Sequence, residues 1–152
     1  MPATKSTTAK TKNVWSKEER AAMQESARER KAAAKLTPAE ERAAGEADVQ
    51  SKIAEMPADD RAMAARIHGL ITDLSPTLVP RTYYGMPAWA KDGKVICFFQ
   101  SKSKFRVRYS TFGFQPDARL DDGEMWPIAY ALLDLTPRSE ARIVESVKKA
   151  IS

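Results

Sequence analysis

The dipeptide Asp92-Gly93, which stands between two strand-like runs, constrains the fold more than any other feature of the chain. A two-residue hairpin turn needs positive φ at both central positions, and Asp-Gly is a typical solution. In this register Lys91 pairs with Lys94, and Trp89 pairs with Ile96. Because side chains alternate across a strand, one face is predicted to hold Trp89, Ile96 and Phe98, and the other Ala88, Ala90, Val95, Cys97 and Phe99.

Two further strands are predicted after this hairpin. Basic residues recur at every second position over residues 102–109, and Phe105, Val107 and Tyr109 lie on the other side of the predicted strand. The four basic residues are Lys102, Lys104, Arg106 and Arg108. Residues 125–133 are apolar and aromatic and predict a last strand, which Pro127 restricts to a sheet edge or to its first residues.

Helix signals lie on both sides of the predicted sheet. Capping boxes at Ser16 and Thr37 begin two alanine-rich helices, of which the second gains an apolar edge only at Val49, Ile53 and Met56. Residues 57–74 predict a third helix, whose first-turn aspartates are explained by capping, and Thr136-Pro137 begins the last one. The sequence therefore predicts an α+β fold, in which helices pack an antiparallel sheet of four or five strands. Three segments are predicted: a disordered tail at 1–14, an exposed helical arm at 15–45 that docks through its C-terminal end, and an α+β domain at 46–152.

Composition bounds the class of protein. The chain has 152 residues, of which 43% are hydrophobic and 30% charged, with a formal net charge of +5. The longest apolar run, residues 95–99, is too short to span a bilayer. Cys97 is the single cysteine and lies in an apolar run, so we expect a buried, inert thiol and no internal disulfide. With no apolar leader segment at the start, these features predict a cytoplasmic protein without membrane contact.

Several segments together resemble the YdhG-like family of small bacterial domains. They are TYYGMPAW, DGKVICFF, KFRVRYSTFGF, LDDGEMWPIAYAL and a capped C-terminal helix. The most recognisable element is the run from Tyr84 to Pro87, and the resemblance covers residues 46–152. It implies an antiparallel sheet packed by helices. Most members have no defined function, but some are described as frataxin-like intracellular iron chaperones. The resemblance supplies no catalytic residue.

The acidic loop offers the residues for such an iron function. Asp121, Asp122 and Glu124 are close enough in sequence to share a cation, and oxygen ligands suit weakly held iron(II). The expected partner is a client protein that receives the iron. The alternative is a turn whose aspartates bond to their own backbone, which Asp122-Gly123 favours.

The four basic residues of the predicted third strand, from Lys102 to Arg108, support a second hypothesis. Such a face can bind a phosphate backbone or an acidic protein partner. The alternative is the solvated side of a half-buried strand. In that case the lysines also block unwanted strand pairing.

Four large side chains are candidates for a ligand pocket, although core packing is the favoured explanation: Tyr84, Met86, Trp89 and Trp126. His68 is the single histidine and is predicted to be partly exposed at the edge of the third helix. No nucleophile and base can be paired from the sequence, so the chain is predicted not to be an enzyme. The alanine-rich arm is a candidate for homodimer contacts.

Overall fold

The computed structural model describes residues 15–33 and 36–152, and the predicted tail at 1–14 lies outside them. It confirms an α+β fold with N-terminal helices and a five-stranded antiparallel sheet. The sheet is a meander, because each strand pairs with the next along the chain. The elements in chain order are α1 Lys17–Ala33, α2 Pro38–Ala54, α3 Ala58–Leu74, β1 Val79–Tyr83, β2 Met86–Lys91, β3 Lys94–Gln100, β4 Ser110–Phe114, β5 Ala129–Leu132 and α4 Pro137–Ala150.

The central hairpin forms as predicted at its turn and differs two residues further on. Lys91 pairs with Lys94, but Trp89 pairs with Cys97 rather than with Ile96. The register shift leaves Ile96 as an extra residue on β3, which is a β-bulge. The predicted faces are therefore wrong: Trp89, Ile96 and Cys97 all belong to the core cluster. Burial raises the pKa of the Cys97 thiol well above its ordinary value, as expected of an inert cysteine.

The predicted strand over residues 102–109 is wrong. These residues form the loop between β3 and β4, which we call the basic loop. Its backbone turns, with the Val107 N–H donating to the Lys102 carbonyl, and Arg106 adopts a φ of 54°. Side-chain bonds described below hold the start of this loop against α3. Strict alternation of apolar and charged residues predicts a strand only where no tertiary side-chain bond competes with the backbone hydrogen bonds between strands.

The two edge strands were less predictable. β1 follows α3 and contains Pro80, in a stretch that no strand signal in the sequence had marked. A proline is compatible with that place because β1 is an edge strand and needs no full ladder of N–H donors. β5 is the other edge and is confined to Ala129–Leu132, inside the predicted 125–133 and beyond Pro127.

The second helix of the predicted arm packs against the sheet. α2 lies against β1 and buries Gly45, Val49 and Ile53. A Cβ at Gly45 would overlap the carbonyl oxygen of Pro80, so this close approach of helix and strand needs glycine. The boundary predicted between residues 45 and 46 falls inside this continuous helix.

Apolar residues of α2, α3 and α4 pack on one face of the sheet and form the core. The largest fully buried side chains include Trp89, Phe99 and Phe112 from the sheet, and Ile67 and Ile143 from the helices. None of the helices within 15–33 and 36–152 is both long and apolar enough to cross a membrane.

His68 lies inside this core, which corrects the prediction of a partly exposed residue. Its Nδ1 accepts a hydrogen bond from the Trp89 indole at 3.2 Å, and its Nε2 lies 2.8 Å from a Glu46 oxygen. Since an indole N–H can only donate, Nδ1 must be the acceptor and Nε2 carries the proton. Burial favours a higher pKa for Glu46, but hydrogen bonds from His68 and Gln50 outweigh it and leave the pKa lowered. We call Glu46, His68 and Trp89 the histidine cluster.

Candidate functional site

A cleft of about 330 Å³ opens at the end of the sheet where the β1–β2 turn meets the basic loop. We call it the lysine cleft, because Lys52 of α2 and Lys104 of the basic loop both line it. Its remaining lining comprises Glu25, Glu55, Met56, Pro57, Gly85, Met86, Pro87, Phe99, Ser101 and Ser103. Polar groups therefore stand over a partly apolar floor, an arrangement that suits binding of a specific polar group.

Lys102 anchors the first turn of the basic loop to α3. Its Nζ donates to Asp59 and to Asp60, at 2.6 Å in each case. The Ser103 hydroxyl donates to the second oxygen of Asp60, also at 2.6 Å. The side chain of Asp60 is only 1% exposed, so these two donors compensate a buried carboxylate. The hydrogen bond from Lys102 lowers the pKa of Asp59, and the two aspartates raise the pKa of Lys102.

Lys104 follows two residues later and has no such partner. It is half-buried, and among residues 15–33 and 36–152 no carboxylate oxygen lies within 4 Å of its Nζ. Burial lowers the pKa of Lys104, and the attraction of Glu25 compensates this only in part. A half-buried lysine in a cleft whose pKa is lowered by burial is a candidate member of a functional site.

Across the cleft, α1 supplies carboxylates. Glu25 Oε2 lies 3.0 Å from Lys52 Nζ, but the angle does not make a hydrogen bond, and this buried oxygen has no other partner among the described residues. Burial favours a lower pKa for Lys52, but Glu25 and Glu55 outweigh it and leave the pKa raised. Glu29 accepts a hydrogen bond from the Gly85 N–H at 3.1 Å. Gly85 has a φ of +76°, and a Cβ there would overlap the Glu25 carboxylate.

The far half of the basic loop is exposed. Arg106, Val107, Arg108 and Tyr109 are four consecutive exposed residues. The Arg106 side chain is 85% exposed and lies 3.7 Å from a Glu18 oxygen of α1. Arg108 lies over the Tyr109 ring, 5.2 Å from its centroid, with no carboxylate within 4 Å in the part of the chain that the structure describes. Arginine and tyrosine are the residues that most often dominate protein–protein binding energy.

The four basic residues therefore have three different environments rather than one common face. Lys102 is bound to α3, Lys104 lines the cleft, and Arg106 and Arg108 face solvent.

The predicted metal ligands Asp121, Asp122 and Glu124 are all exposed in the loop before β5. Among residues 15–33 and 36–152, no group of three or more histidine, cysteine, aspartate or glutamate side chains is arranged to hold a metal ion. The loop thus offers scattered carboxylates rather than a shaped site.

The four pocket candidates also lie apart from one another. Met86 lines the lysine cleft, and Trp89 is buried in the core. Tyr84 is half-buried, with its ring edge-on to that of Tyr83. Trp126 lines a different cleft of about 300 Å³ with Asp122 and residues of α4.

Sequence reasoning missed Glu25 and Lys52 as lining residues of the cleft, because neither belongs to a motif. It explained Asp60 by helix capping alone and missed its bonds to Lys102 and Ser103. The only sequence signal for a shared site was the run from Tyr84 to Pro87, because it contains Gly85 and Met86 of the cleft.

No family model, curated protein or solved structure matches the chain. The resemblance to the YdhG-like family and the functions it implies therefore stay expectations.

Proposed function

We propose that this chain is a non-catalytic binding module, and that its basic loop and lysine cleft recognise carboxylates of an acidic protein partner. The observation that carries the proposal is the half-buried ammonium of Lys104, which has no carboxylate within 4 Å among the described residues. Glu25 lies near this ammonium without contacting it, so the cost of its burial is compensated only in part. A carboxylate that enters the cleft would offset that cost.

The exposed half of the basic loop supports a protein as the partner. Val107 and Tyr109 are large exposed side chains that alternate with Arg106 and Arg108. Leu132 pairs with Ser110, so Leu133, which is 73% exposed, follows at the same end of the sheet. This combination of arginine, tyrosine and aliphatic surface is typical of protein interfaces.

The charge of the cleft favours a protein over a nucleic acid. Glu25, Glu29 and Glu55 lie close enough to influence the pKa of Lys104. These carboxylates repel any anion, but they repel a phosphate backbone, which carries a charge at every nucleotide, more than a single acidic side chain that approaches Lys104. The exposed aspartates before β5 lend the iron hypothesis less support, since they belong to no ligand group within the described residues.

The proposal is tested with a labelled helical peptide of glutamate, alanine and leucine, whose binding is followed by fluorescence anisotropy. We expect affinity to fall as salt rises from about 50 to 200 mM, because the contacts are between exposed charges. The double change Arg106→Glu and Arg108→Glu should weaken binding by about tenfold or more. Arg138→Glu, an exposed charge reversal at the start of α4, is the matched control and should leave the affinity unchanged.

Two results would overturn the proposal. One is peptide binding that responds equally to the loop variant and to Arg138→Glu. The other is tighter binding of a labelled single-stranded RNA with the same dependence on Arg106 and Arg108, which would make nucleic acid the partner.

A further inference from the structure

α1 contacts the rest of the molecule through one acidic face. Glu18, Glu25 and Glu29 are spaced by seven and four residues, so they lie along one side of the helix. At a rise of about 1.5 Å per residue they span roughly 16 Å. They contact Arg106, Lys52 and the Gly85 N–H in that order. The basic end of the sheet therefore already holds a helix by its carboxylates.

The apolar attachment of α1 is small. Ala22 and Ser26 are its buried residues among those whose side chains are described, while Met23, its one large apolar residue in that stretch, is 37% exposed. Burying two small side chains contributes little compared with a leucine or phenylalanine. Exposed ion pairs also contribute little, because water screens them. α1 is therefore held weakly compared with α2, which buries Val49 and Ile53.

The fit of α1 to this surface is also incomplete. The buried oxygen of Glu25 makes no hydrogen bond among the described residues, although Lys52 Nζ is 3.0 Å away. Lys104 lines the same cleft and has no carboxylate in contact there. A helix that bound this surface permanently would be expected to place a carboxylate against Lys104 as well, because burying an ammonium without a contacting counter-ion is costly.

We infer that the surface under α1 is a docking groove for an acidic helix of another protein, and that α1 occupies it in cis until that partner replaces it. The partner carries carboxylates at the seven- and four-residue spacing of Glu18, Glu25 and Glu29. Its second carboxylate reaches both Lys52 and Lys104, and its third accepts from the Gly85 N–H. This inference rests on the proposed function, since both require recognition of carboxylates at this end of the sheet.

The test uses the full chain and a labelled synthetic peptide with the sequence of residues 16–33 as the probe. In the unaltered protein, α1 is tethered at high effective concentration and should compete with the peptide. The double variant Glu25→Gln and Glu29→Gln loosens α1 in cis. It should bind the peptide about tenfold more tightly, which corresponds to two weakened surface contacts.

Two controls separate the groove from the rest of the surface. Adding Lys52→Gln or Lys104→Gln to the double variant should remove the gain, whereas adding Lys94→Gln, an exposed lysine in the β2–β3 hairpin, should preserve it. A peptide with glutamine at the three glutamate positions should bind at least about tenfold more weakly.

Equal affinity of the unaltered protein and the double variant for the peptide would overturn the inference, as would equal binding of the glutamine peptide. A dimer of the unaltered protein in size-exclusion chromatography that disappears in the double variant would also overturn it, because a second copy would then be the occupant. A different result would be that the double variant Glu25→Gln and Glu29→Gln leaves the affinity for the peptide of residues 16–33 unchanged while binding of the glutamate–alanine–leucine peptide still depends on Arg106 and Arg108. In that case the inference fails and the proposed function stands.

Discussion

The histidine cluster and the lysine cleft both place polar groups among apolar side chains, and they differ in whether those groups are satisfied. In the histidine cluster, the Trp89 indole donates to His68 and His68 donates to Glu46. In the lysine cleft, Lys104 has no carboxylate in contact among the described residues and the inner oxygen of Glu25 makes no hydrogen bond there. Satisfied buried networks specify a fold, whereas unsatisfied groups are available to a ligand.

The largest expected effect is loss of the histidine cluster. His68→Ala leaves the buried Trp89 N–H without an acceptor and opens a cavity, which should lower the free energy of unfolding by about 3 kcal/mol. Lys104→Met removes a half-buried charge without a contacting carboxylate, so stability should stay unchanged or rise. Urea unfolding of the two variants checks this contrast, and similar losses for both would refute the distinction between the two clusters.

A second contrast lies within the anchor of the basic loop. Asp60→Ala removes the buried acceptor of Lys102 and Ser103 and should cost about 2 kcal/mol, since hydrogen bonds to charged groups are among the stronger ones. Asp59→Ala removes an exposed acceptor of the same lysine and should cause no resolvable change. Chemical denaturation compares the two, and an equal cost for Asp59 would show that exposure does not separate them.

Substituting two glycines with positive φ allows the cost of backbone strain to be measured separately from the cost of a steric clash in the cleft. Gly93→Ala should cost about 1 kcal/mol for the left-handed backbone alone, because nothing lies within 4 Å of its added Cβ. Gly85→Ala carries the same strain, and its Cβ also overlaps the Glu25 carboxylate, so it should cost more and displace α1. Thermal unfolding measures the stability difference. Binding of the peptide of residues 16–33 measures how far α1 is displaced. Equal stability loss and equal peptide affinity in Gly93→Ala and Gly85→Ala would contradict the predicted clash at Gly85.

The smallest effect concerns pH. The folded-state pKa of Glu46 lies below its ordinary value of 4.5, so its contribution to stability is present above about pH 4.5 and is lost as pH falls through the folded-state pKa. Glu46→Gln removes that contribution. The difference in unfolding free energy between the unaltered protein and this variant should therefore be largest near neutral pH and shrink in acid. A difference that grows in acid would mean that the sign is wrong.

The parts of the fold that local chemistry determines were predictable from the sequence. Asp92-Gly93 set the hairpin and Thr136 the last helix, and a last edge strand was predicted within residues 125–133, although its start lies beyond Pro127. The bulge at Ile96 was not predictable, because it depends on how the hairpin packs in the core rather than on the turn. The strand predicted over residues 102–109 failed for a related reason: the bonds from Lys102 and Ser103 to Asp60 join residues more than forty positions apart.

The lysine cleft was less predictable than the fold. Three of its charged residues, Glu25, Lys52 and Lys104, come from separate elements, and each has an ordinary place in its own helix or loop pattern. A hydrophobic pattern reports which face of an element is buried, but it does not report which charged side chains meet across elements. The basic residues were recognised as a group, and only the folded chain shows that they differ in their partners.

The most direct test of carboxylate recognition at the basic end of the sheet is an amide NMR titration of the labelled protein with the glutamate–alanine–leucine peptide. The account predicts shifts at Gly85, at residues 101–109 and along α1, with the loop around Asp122 and Trp126 unaffected. Shifts centred on that loop, or spectra that do not change at millimolar peptide, would contradict the claim that Lys104 and its neighbours form the binding site.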